Sequence, residues 1–112
     1  MLVFLFTDIE GSTELWQKYP LLMGEVLAQH DALLDQAITM HGGRIVKHTG
    51  DGVFAVFQAG EPLACALDIQ RAISGVDWEI SDILRVRVAL HAGEAAQRGG
   101  DYVGLDINRT AR

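Results

Sequence analysis

Cysteine is almost missing from this chain. Cys65 is the only one in 112 residues, so no internal disulfide and no thiolate metal cluster can form, and a reducing compartment fits best. Basic side chains are also in deficit, with 9 Lys and Arg against 15 Asp and Glu and a net charge of -6. That balance argues against sequence-independent nucleic-acid binding, which relies on Lys and Arg to neutralise phosphates. It leaves room for a small polyanion if Mg²⁺ supplies the positive charge. The apolar opening Met1 to Phe6 is far short of the roughly 20 residues that cross a bilayer, and it lacks a basic flank and a cleavage site. A cytoplasmic location is the default expectation. Repeats, low-complexity stretches and linkers are lacking too, and 49% hydrophobic with 21% charged residues describes one globular domain rather than a disordered segment.

What is present alternates strand and helix signals. Leu2 to Phe6 is apolar throughout and reads as a central strand buried on both faces. Asp8 follows it and opens the loop Asp8-Ile9-Glu10-Gly11-Ser12-Thr13. Ser12 and Thr13 are good helix caps, and Glu14 suits the first turn, so a helix should start near Ser12. From Pro20 to Met40 apolar residues recur at helical spacing, Leu22, Val26, Leu33 and Ala37 on one line with Met23, Leu27, Leu34 and Ile38 beside it. His41-Gly42-Gly43 ends this helix, the glycine taking the left-handed cap conformation.

Arg44 to His48 and Val53 to Gln58 flank Thr49-Gly50-Asp51-Gly52, a hairpin signal that predicts an antiparallel pair. Pro62 to Ser74 reads as a second long helix ending at Gly75. Ile83 to Gly93 alternates as a half-buried strand, and Tyr102 with Val103 forms a further short strand after Gly99-Gly100. The order β, α, β, β, α, β is the split βαβ pattern, so the expected fold is α+β, a ferredoxin-like, palm-like sandwich with helices on one face of an antiparallel-containing sheet.

Three constellations could carry chemistry. Gly11, Ser12 and Thr13 leave backbone N–H groups open at a helix start, where phosphate can sit, although a plain cap beside a solvated Asp8 gives the same pattern. Asp51 alone is an ordinary hairpin residue, but in a ferredoxin-like sheet its turn approaches the end of the first strand, and two aspartates with the Ile9 carbonyl could share Mg²⁺. Asn108 and Arg112 are four apart and share a helix face, able to grip sugar and phosphate oxygens or simply to meet solvent.

Taken together, Phe4-Leu5-Phe6-Thr7-Asp8-Ile9-Glu10-Gly11-Ser12-Thr13, Lys47-His48-Thr49-Gly50-Asp51-Gly52 and Asn108-Arg109-Thr110-Ala111-Arg112 resemble the class III adenylyl/guanylyl cyclase catalytic domain. The family's domain continues past the last of these motifs, so residues 1–112 are expected to be one C-terminally incomplete catalytic domain. The resemblance implies a nucleotidyl cyclase that makes 3′,5′-cyclic AMP and pyrophosphate. Asp8 and Asp51 match the metal aspartates, with the Ile9 carbonyl assisting one of two Mg²⁺ or Mn²⁺ ions per site. Lys47 matches the purine-reading lysine and Asp101 its acidic partner. Asn108 matches the residue that orients the ribose, and Arg112 the arginine that opposes charge on the transferring phosphate. The resemblance also implies a homodimer with two sites at its interface, each drawing metal aspartates from one subunit and purine, ribose and transition-state residues from the other.

Adenine offers an amino donor and a ring acceptor, which an acceptor carboxylate and a donor ammonium complement, so Lys47 with Asp101 favours ATP over GTP. The alternative reading is a catalytically silent cyclase-like domain that binds nucleotide or dimerises to regulate attached domains. A diguanylate cyclase fits less well, since Gly99-Gly100-Asp101-Tyr102 lacks that signature's Glu-Phe ending. His30-Asp31 hints at a phosphohydrolase but reads as helix surface. His41 and His91 have no ligand spacing, and Cys65 reads as core.

Overall fold

The computed structural model describes residues 1–93, together with the backbone of 96–98 and 101–103. The chain runs β1 (Leu2–Ile9), α1 (Ser12–Lys18), α2 (Met23–Met40), β2 (Arg44–His48), β3 (Val53–Phe57), α3 (Pro62–Ser74), β4 (Val86–Gly93), β5 (Ala96–Arg98) and β6 (Asp101–Val103). The first four strands form one antiparallel sheet in the order β2-β3-β1-β4. This is the expected ferredoxin-like arrangement. β5 and β6 pair as a separate ribbon; Tyr102 and Val103 were legible in it, whereas β5 was not.

Period-two alternation divides the sheet into two faces. Leu5, Ile9, Val53, Ala55, Phe57 and Val86 join Val26, Leu34, Ile38, Cys65, Ile69 and Ile73 of α2 and α3 in the main core. Phe4, Phe54 and Val56 form a second cluster with Leu2, Phe6 and Val46 on the opposite face, which none of the described helices covers. β1 lies between β3 and β4, and adjacent residues Phe4 and Leu5 are both 0% exposed. Its continuous apolar run follows from that burial on two sides.

Several boundaries differ from the sequence reading. β1 continues to Ile9, so Asp8 sits inside the strand, paired with Arg87, rather than opening a loop. The cap of α1 is Gly11 in the left-handed conformation, with no side-chain cap bond, and Ser12 is the first helical residue. α2 starts at Met23, not Pro20. Its end is as expected: Gly42 has φ 83°, with Gly43 N donating to Ile38 O at 2.9 Å and Gly42 N to Thr39 O at 3.2 Å, a Schellman closure.

β4 starts at Val86 rather than Ile83, while Leu84 packs into the core from the preceding connection. His30 corrects the surface reading. It lies on the apolar stripe of α2, four residues from Val26 and from Leu34, and is 0% exposed with Nδ1 2.8 Å from Asp31 Oδ1. Cys65 is core as expected, 0% exposed. No helix among the described residues is long and apolar enough to cross a membrane.

Candidate active site

Asp8 is on the helix-free face, in step with Leu2, Phe4 and Phe6 along β1. The β2–β3 turn is brought against it by contacts that a sequence motif does not display. Thr49 N donates to Gly52 O at 3.0 Å and closes the turn, and Gly50 takes φ 87° inside it. Gly52 rests directly on β1: a Cβ there would lie 1.8 Å from Thr7 O and 3.2 Å from Asp8 Cα. Only glycine permits that approach. The next residue completes the attachment, since Val53 N donates to the buried Thr7 Oγ1 at 3.0 Å. Asp51 is thereby carried next to the strand segment that bears Asp8.

Lys47 reaches the same face through an irregularity. Ile45 pairs with Ala55 and Lys47 with Phe54, leaving Val46 as an extra residue in β2. Without this bulge, alternation would turn Lys47 towards the helices. Instead its Nζ lies 6.0 Å from the centroid of the Phe54 ring, which stacks on Phe6 at 4.6 Å. The ammonium therefore has an aromatic floor that carries a negative π face.

Arg87 is the residue that the sequence reading missed. Its Nε donates to Asp8 Oδ1 at 2.6 Å and its Nη2 to Asp8 Oδ2 at 3.0 Å, a two-pronged ion pair across β4 and β1. The Arg87 pKa is raised first by hydrogen bonding to Asp8, then by the charge of that carboxylate, with smaller contributions from Glu10 and Asp51. Three acids therefore act on one guanidinium. The only advance signal was its place as a polar residue in the alternation of β4; the cross-strand register was needed to pair it.

The donor set fits a hard divalent cation. Two carboxylates and a backbone carbonyl, with water and substrate phosphate completing the shell, suit Mg²⁺ or Mn²⁺. Among the described residues no group of three or more His, Cys, Asp or Glu converges. The backbone of Gly11, Ser12 and Thr13 follows immediately at the start of α1, which is seven residues long and carries Glu14 in its first turn. Asp101 has its backbone in β6, but its side chain, Asn108 and Arg112 all lie outside the described residues. Among the other candidates, His41 links α2 to α3, with Nε2 2.5 Å from Asp68 Oδ2.

The family model of the adenylate and guanylate cyclase catalytic domain matches residues 2–100. The chain belongs to this family. An uncharacterized protein of Mycobacterium tuberculosis is 41% identical over 111 residues, covering 96% of the chain and 36% of that relative. The adenylate cyclase of Schizosaccharomyces pombe is 27% identical over 137 residues, covering 99% of the chain and 8% of the relative. Among solved structures, an adenylate cyclase of Trypanosoma brucei in its monomeric state superposes with a TM-score of 0.87 at 26% identity, over 99% of this chain and 67% of that one. The chain thus spans about a third of the length of the mycobacterial relative. For this cyclase-family domain the match extends through both aspartate motifs and Arg87, and ends at Gly100, before Asn108 and Arg112.

Proposed function

We propose that this chain is the catalytic domain, C-terminally incomplete over residues 1–112, of an adenylate cyclase that converts ATP to 3′,5′-cyclic AMP and pyrophosphate. The observation that carries the reading is the seating of Gly52 on Thr7 and Asp8, which sets the turn that carries Asp51 against the strand that carries Asp8. Asp8, Asp51 and the Ile9 carbonyl hold two Mg²⁺ or Mn²⁺ ions, which supply Lewis acidity to the phosphates and a lowered pKa for the ribose hydroxyl when bound. Gly11, Ser12 and Thr13 offer backbone N–H groups to the triphosphate.

In the reaction the ribose O3′ gives up its proton and attacks the α-phosphorus. The bond from that phosphorus to the oxygen bridging to the β-phosphate breaks in line, and pyrophosphate leaves. Asn108 orients the ribose, and Arg112 opposes the charge that grows on the phosphoryl oxygens, an effect worth about 10² to 10³ in rate for a donor of this kind. Lys47 and Asp101 read the adenine edge, the ammonium donating to the ring acceptor and the carboxylate accepting from the amino group. The helix-free face, with its apolar cluster, is where a second copy packs, so a homodimer carries two sites in the cytoplasm.

The test is turnover by the full-length parent with ATP and with GTP, comparing wild type, Asp51→Ala and Arg112→Ala. Loss of cyclic nucleotide in both variants is expected, with cyclic AMP the main wild-type product. Undiminished synthesis in both would sink the assignment.

A further inference from the structure

The Asp8 carboxylate that the proposed function assigns to a metal ion is already engaged. Both of its oxygens accept from Arg87, at 2.6 and 3.0 Å. A divalent ion needs at least one of those oxygens at about 2.1 Å, and a guanidinium nitrogen on the same oxygen would then face the ion as a like charge at close range. The two cations are therefore alternative partners of Asp8. The surroundings let them exchange: the Arg87 and Asp8 side chains are 67% and 43% exposed, so water can replace either contact as the arginine swings off the strand. Glu10 and Asp51 also help to raise the Arg87 pKa, so their charges too favour the guanidinium beside Asp8.

We propose that Arg87 is the resident cation of the metal cleft, holding Asp8 in its ion-free state and setting the divalent-ion concentration at which the site loads. The inference rests on Asp8 and Asp51 being metal ligands. In the ion-free protein Arg87 neutralises part of the repulsion among Asp8, Glu10 and Asp51 and keeps Asp8 in its strand register. When an ion arrives, the pair opens and the freed guanidinium remains beside the phosphate-binding loop as a mobile positive charge.

The test measures Mn²⁺ binding to the full-length protein without nucleotide, following free Mn²⁺ by its electron paramagnetic resonance signal. Arg87→Gln should tighten Mn²⁺ binding by about fivefold, the upper range for an exposed ion pair. Arg87→Lys, which keeps the charge but loses the fork, should shift it less in the same direction. Arg85→Gln removes an exposed charge two residues away and should leave the affinity near the wild-type value. Binding that is abolished by Asp8→Asn yet equal in wild type and Arg87→Gln overturns the role of Arg87 while leaving the metal site standing. Equal tightening by Arg85→Gln and Arg87→Gln reduces the effect to net charge and also overturns it. If neither wild type nor Arg87→Gln retains Mn²⁺ at millimolar ion, the metal reading itself falls, and the inference with it.

Discussion

Gly52 lies so close to Thr7 that a single added methyl group would stand 1.8 Å from the Thr7 carbonyl oxygen. The contact is between backbones, so no rotamer change can relieve it. Asp51 depends on that approach for its place next to Asp8.

Gly52→Ala should therefore damage the site through its geometry. The turn must lift from β1, at a stability cost of about 1–3 kcal/mol typical of overpacking, and metal-dependent turnover should fall well beyond what the stability loss explains. Urea unfolding alongside turnover measures both. An unchanged unfolding midpoint would show that the turn is not seated as described.

Thr7→Val isolates the second attachment. It keeps the side-chain shape but removes the acceptor of the buried Val53 N–H, so unfolding free energy should drop by about 1–3 kcal/mol. Hydrogen exchange at the Val53 amide should accelerate relative to its β3 neighbours, and equal protection in the two proteins would contradict the assignment.

Lys47 and Asp101 predict a change of preference rather than a loss of catalysis. Replacing Lys47 by Glu, with Asp101 changed to a residue that no longer accepts from the adenine amino group, should raise the GTP to ATP ratio of kcat/KM by about tenfold or more, the size of an altered hydrogen-bonding edge. An unaltered ratio would remove both residues from purine recognition. Mixing Asp51→Ala with Arg112→Ala chains should restore part of the activity, because a heterodimer keeps one intact composite site; confirmed heterodimers with no recovery would argue for sites within one subunit.

Burial pushes the Cys65 thiol up to about 11, with Asp68 adding to the effect. The neutral thiol is the form the fold favours, so its contribution to stability is full below the ordinary thiol range and is lost as pH rises towards 11. At pH 8 native Cys65 should react with a thiol reagent at least 100-fold more slowly than in urea-unfolded protein. Equal rates would place Cys65 at the surface.

The fold was legible because each element carried its own local signal: a continuous apolar run for β1, helical spacing for α2 and α3, and the Gly50-Asp51-Gly52 turn between two β-rich runs. Asp8 and Asp51 could be joined in advance because strand order alone puts that turn near β1. Arg87 could not, since its partner depends on cross-strand register, fixed by where the connection after α3 releases the chain into β4. His30 shows the opposite failure. Its spacing from Val26 and Leu34 puts it on the buried stripe, although histidine is only intermediate among residue types in its tendency to be buried.

The extra residue at Val46 has a consequence for how β2 can vary. Side chains in a strand alternate, so Lys47 keeps its orientation only while the parity of the count from the bulge to the Asp51 turn is preserved. Length changes in this stretch are tolerable in twos and inverting in ones. A deletion of Val46 alone would only remove the bulge, leaving Ile45 opposite Ala55 and Lys47 opposite Phe54, whereas one residue added between Lys47 and the turn would leave every proposed ligand in the sequence and yet send the proposed purine-reading ammonium to the wrong side of the sheet.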